Sequence, residues 1–68
     1  MTNTLELKAA MIKKGYTSGT LADEIGLSRQ SMSYKINNHR EFTVSEINAI
    51  CKALDLDLEQ KELIFFGQ

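Results

Sequence analysis

The chain has 68 residues, 43% of them hydrophobic and 25% charged, with a net charge of −1. This is the make-up of a globular protein, and the length limits it to a single domain, residues 1–68, that buries about 60% of its unfolded surface. No apolar run is longer than the four residues of Leu63–Phe66, and MTNTLELKAA lacks the basic start and apolar centre of a signal peptide, so neither a membrane span nor secretion is expected.

Five short helices are expected, joined by tight turns. The first runs from about Thr4 to Lys14, with Asn3 and Glu6 placed as a capping-box pair and Gly15 as its stop. Leu7, Ala10 and Met11 form its buried stripe. Thr17 or Ser18 caps the second helix, Leu21, Ala22 and Ile25 give its inner face, and Gly26 ends it. Ser28 caps the third, which runs to about Ile36. On it Met32 and Ile36 point inward, with the small Ser31 near the inner side, while Arg29, Gln30, Ser33, Tyr34 and Asn37 fall on the other side. The fourth begins with the capping box of Thr43 and Glu46 and carries Val44, Ile47, Ile50, Cys51 and Leu54 as its apolar stripe. Asp57 with Gln60 caps a fifth, over about Leu58 to Phe66. With few β-branched runs and no alternating pattern, the fold class is all-α.

Charge is unevenly placed. Residues 1–40 hold six Lys/Arg and three Asp/Glu, a balance of +3, and residues 41–68 hold two and six, a balance of −4. Ser28 to Arg40 contains no acid, while Arg29, Lys35, His39 and Arg40 are present, so an anionic partner would meet a positive segment there. An ordinary solvated face would carry the same residues. The second and third helices together, at about 17–37, fit a helix-turn-helix: two helices, a short turn with glycine, and a second helix with a polar outer side. One α-helix fits the DNA major groove, where residues of its first turns reach base edges.

The stretch TLADEIGLSRQSMSYKINN resembles the helix-turn-helix of phage repressors and Cro proteins, the XRE-like group, through Leu21, Ala22, Gly26, Ser28, Ser31, Met32 and Ile36. The resemblance spans roughly Leu7 to Phe66. It implies a compact, lambda-repressor-like bundle of five helices, with Asn38 in place of a glycine often found after the third helix; asparagine tolerates a left-handed conformation. Many relatives join the first and third helices by an arginine–glutamate pair. Met11 and Ile36 stand at those positions, a joint change to apolar residues that strands no charge.

The resemblance also implies a function: sequence-specific DNA binding by a transcriptional regulator, a phage or prophage repressor or Cro-like protein occupying an operator. Arg29 and Gln30 are then the candidates for reading bases, as arginine matches guanine and glutamine adenine; Ser33 and Tyr34 are placed one turn on. For Tyr34, lying flat on the helix is an equal alternative. Thr17, Ser18, Ser28, Lys35, Asn37, Asn38, His39 and Arg40 are candidates for the DNA backbone, with His39 also readable as a plain loop residue. Leu63, Ile64, Phe65 and Phe66 cannot all face one core. Some close the domain, and Leu63, Phe65 and Phe66 are candidates for the homodimer contact that a two-fold operator calls for.

Other functions have less behind them. One histidine, one cysteine and no carboxylate cluster offer no catalytic triad, metal set or phosphate loop, so no enzyme, cofactor or small-molecule substrate is expected. Cys51 reads as a small core residue, and its being alone suits a reducing cytoplasm. With the chain ending after five helices, no separate sensing or oligomerisation domain is expected. The competing reading is a protein-binding adaptor, an antirepressor or antitoxin subunit, that keeps the fold for partner contact.

Overall fold

Among residues 1–67, which the computed structural model describes, the chain forms helices and no strand: α1 (Thr4–Lys13), α2 (Ser18–Ile25), α3 (Arg29–Ile36), α4 (Val44–Leu54) and α5 (Leu58–Lys61), which continues as a π-helical turn over Glu62–Phe66. Each helix starts where a short polar side chain supplies the acceptor that the helix itself cannot. Asn3 accepts from the amide of Glu6, Thr17 from Thr20, Ser28 from Ser31, Thr43 from Glu46 and Asp57 from Gln60. Such a cap contributes about 1 kcal/mol. The boxes at Thr17, Thr43 and Asp57 are reciprocal. At Asn3 only half of the expected box forms: the Asn3 amide donates to the carbonyl of Ile64 at 2.6 Å, so a bond from the far end of the chain replaces the Glu6 side chain.

One cluster gathers the apolar faces: Leu7 and Met11 of α1, Leu21 and Ala22 of α2, Met32 and Ile36 of α3, and Ile47, Ile50 and Leu54 of α4, closed by Ile64 and Phe65. Cys51 is half-buried against it, and burial pushes its thiol up from the ordinary value, with the charge of Lys61 opposing. Helix α2 packs on both α3 and α4, and α1 packs on the π-helical turn. Met11 and Ile36 both lie in this apolar interior, as their shared change of character suggested.

Three positions depart from the sequence reading. Val44, counted in the stripe of α4, is 73% exposed, since it occupies the first turn, where the core does not reach. Phe42, from the loop before α4, fills a core position instead, its ring edge-on to Phe65 with centroids 5.7 Å apart. Phe65 is consequently only 5% exposed. Its ring belongs to the core and not to an outer contact; Leu63 and Phe66 are the two exposed members of that run.

The N-terminal segment pins the end of α3. Asn38 adopts the left-handed conformation (φ 66°). Its side-chain oxygen accepts from the Thr2 amide at 2.8 Å and its NH2 donates to the Thr2 carbonyl at 2.9 Å. The Thr4 hydroxyl donates to the carbonyl of Ile36 at 2.6 Å, satisfying one of the acceptors a helix end leaves open.

Candidate nucleic-acid interface

The link between α2 and α3 is Gly26-Leu27-Ser28. Gly26 has φ 80°, and its amide bonds back to the carbonyl of Ala22, as does that of Leu27. Nothing stands within 4 Å of a Cβ built there, so the preference for glycine is one of backbone conformation alone. Leu27 turns inward onto the core, and Ser28 caps α3 at once. The short turn therefore holds α3 rigidly against α2, with Met32 and Ile36 as the buried anchors.

The opposite side of α3 is open. Arg29, Gln30, Ser33, Tyr34 and Asn37 are all exposed, on one continuous side of the helix, and the cap residue Ser28 is exposed at its start. Arg29 reaches back across α2, where its guanidinium lies 3.9 Å from Asp23. A Cβ on Gly19 would fall 2.8 Å from its Cζ, so the bare glycine is what lets the guanidinium lie there. Both partners are largely exposed, 75% and 69%, and such a pair holds the arginine with less than about 1 kcal/mol. Gln30 donates from Nε2 to the Tyr34 hydroxyl at 3.0 Å. The Tyr34 ring meets His39 edge-on at 5.9 Å, and the Arg40 guanidinium sits 5.7 Å from its centroid. Asn37 donates from its side chain to the Ser33 carbonyl.

Three residues expected on the DNA backbone have their side chains engaged within the protein. Lys35 Nζ lies 2.7 and 2.8 Å from the two carboxylate oxygens of Glu46, with side-chain exposures of 12% and 16%. The ammonium is drawn sideways to α4, away from the open side. Asn38 spends its side-chain amide on Thr2. Thr17 spends its hydroxyl on the α2 cap, while Ser18 and Gly19 follow at helix positions whose amides have no acceptor within the helix. His39 and Arg40 are exposed and gather around Tyr34. The positive field is accordingly smaller than the count of cations in residues 28–40 suggests, with Lys35 neutralised outright and Arg29 in part.

Glu46 has two tasks. Its Oε1 also accepts from the Thr43 amide at 2.9 Å, so one carboxylate closes the α4 cap and clamps α3 to α4. Burial opposes its ionisation, but the hydrogen bonds from Lys35 and Thr43 and the lysine charge outweigh burial and hold the carboxyl below its ordinary 4.5. A carboxyl lowered on folding stabilises fully above that ordinary value, and the gain vanishes as pH falls through the lower folded value. Lys35→Met is expected to cost about 1.5–3 kcal/mol at neutral pH. It should also flatten the acid side of the stability curve, both read from urea unfolding between about pH 7 and pH 3. An unchanged acid limb would mean that this pair does not set it.

These features define a class: a small all-helical domain whose capped, rigidly held third helix turns a polar side to solvent. The model of the Cro/C1-type HTH DNA-binding domain matches residues 6–60. The chain belongs to that family and is by that membership a DNA-binding protein. No curated protein was found to match it. Among the described residues no helix is long and apolar enough to cross a membrane, and no three or more His, Cys, Asp or Glu gather as a metal-holding set.

Proposed function

We propose that the chain is a transcriptional regulator of the phage or prophage repressor/Cro type, a single domain that works in the cytoplasm by occupying an operator, without catalysis or a cofactor. The observation that carries this reading is the open side of α3, where Arg29 and Gln30 stand at the capped first turn with Ser33 and Tyr34 one turn on. Set in a major groove, those four face base edges. Ser18, His39 and Arg40 border them and suit phosphates, as do the Ser28 O–H and the second Asn37 N–H left over from the bonds with Ser31 and Ser33. Thr17, Lys35 and Asn38 then support the contact by fixing helix ends, since their side chains are already engaged. A homodimer would place two such helices about 34 Å apart on a two-fold site, and the exposed Leu63 and Phe66 supply apolar surface for it.

Selection of bound sequences from a random DNA pool tests the reading. A two-fold pattern with half-sites about one helical turn apart is expected. Affinity for the selected site should fall at least about tenfold between 50 and 200 mM salt. The same exposed Leu63 and Phe66 also support a second reading, a protein-binding adaptor. In that case no sequence is enriched, and binding of the protein partner hardly responds to salt.

A further inference from the structure

On the reading of α3 as the DNA-contacting helix, we infer that Tyr34 is a positioning residue, and that its hydroxyl holds the Gln30 amide in the orientation that recognises adenine. Gln30 and Tyr34 stand four residues apart on the open side of α3, joined by the bond from Nε2 to the hydroxyl at 3.0 Å. A primary amide has two N–H groups and a carbonyl oxygen. The N–H on the same side as the oxygen forms with it the edge that matches N7 and the N6 amino group of adenine. The other N–H points away from that edge. Tyr34 takes a single N–H, so an amide gripped through the outer one keeps its adenine-matching edge free.

Tyr34 is itself fixed, which gives the grip its value. Its carbonyl accepts from the His39 amide at 2.8 Å, closing the turn after α3. His39 meets the ring edge-on and the Arg40 guanidinium lies over it, and the turn is tied down by the bonds of Asn38 to Thr2. The ring is thus braced by a turn that is anchored to the N-terminal segment, although it lies on an exposed helix side. A free glutamine must give up several rotatable bonds on contacting a base. One already held gives up fewer, which raises affinity for the matching base pair without any added contact.

Tyr34→Phe removes only the hydroxyl and keeps the ring's contacts with His39 and Arg40. Fluorescence anisotropy compares it with wild type, Gln30→Ala and the double variant on the selected site and on copies with each base pair changed in turn. Tyr34→Phe is expected to lower the preference for one A·T pair by about 3- to 10-fold, with the salt slope and melting temperature unchanged. Gln30→Ala removes the preference at that same pair, and adding Tyr34→Phe to it changes nothing further there. Effects of the two substitutions that simply multiply, or that fall on different base pairs, would overturn the inference while leaving the DNA reading intact. Wild-type protein that selects no sequence would overturn the DNA reading and this inference with it.

Discussion

Phe42→Ala is expected to remove about 3–5 kcal/mol of stability, which for a chain this short is about a third or more of what it has. At about 0.05–0.15 kcal/mol per residue, a 68-residue protein holds roughly 3–10 kcal/mol in all. Phe42 comes from the loop between α3 and α4, yet it is 7% exposed and stands edge-on to Phe65 at 5.7 Å. Truncation therefore leaves a ring-sized void and strips Phe65 of its aromatic neighbour. Phe65 lies beside Ile64, whose carbonyl takes the Asn3 amide, so the loss loosens the closure of the N-terminus as well. Phe42→Leu, which keeps most of the volume, should cost less than half as much. Urea and thermal unfolding followed by circular dichroism give both values. A cost for Phe42→Ala below about 1 kcal/mol would show that the loop ring is not a core element.

That prediction concerns a residue the sequence did not mark, and the reason is general. Helical spacing singles out residues that repeat, and Phe42 lies in a loop where nothing repeats. Periodicity also tells on which side of a helix a residue falls but not how far its neighbours extend, which is why Val44 fits the stripe of α4 and yet points to solvent. Local signals fared differently. Asn3, Ser28, Thr43 and Asp57 are recognisable as caps because each acts on an amide three residues away, and for α2 the choice narrows to Thr17, the cap that forms, or Ser18. Asn38 in the left-handed conformation and Gly26 at the α2 end are of the same kind. In the segment after Asp57 it was foreseeable that four successive apolar residues must divide between core and surface. The π-helical turn, with Ile64 and Phe65 inside and Leu63 and Phe66 outside, packs on α1 and on Phe42, contacts that lie far along the chain.

The candidate site divides along the same line. Its frame, a capped third helix after a glycine turn, is local and was legible. The commitments of its side chains are not, since they depend on residues far along the chain. Lys35 counts as a free cation until Glu46, eleven residues on, is folded beside it. Asn38 looks available until Thr2 arrives from the N-terminus. Arg29 lies where it does because α2 offers Asp23 and the bare backbone of Gly19. Of these three, only Arg29 is held loosely enough to be given up to another partner.

Arg29→Ala is expected to erase most of the preference for the selected site over a scrambled one, a loss of about 5- to 150-fold. This range follows from the 1–3 kcal/mol that a bidentate arginine–guanine contact contributes to discrimination. The exposed pair with Asp23 resists little when the guanidinium swings outward, so the arginine enters the groove at small cost. For the same reason the substitution should shift stability by less than about 1 kcal/mol, and a change in binding cannot be laid to unfolding. Arg29→Lys separates the two ways a cation could act. It keeps the charge and loses the planar fork, so a base-reading role predicts that lysine recovers affinity for any DNA but not the preference. Anisotropy titrations on both sequences, at two salt concentrations, read all of this together. If Arg29→Ala instead weakened the selected and scrambled sites equally and lowered the salt slope by about one, Arg29 would be a phosphate contact. Base reading would then have to rest on Gln30, held by Tyr34, and on Ser33.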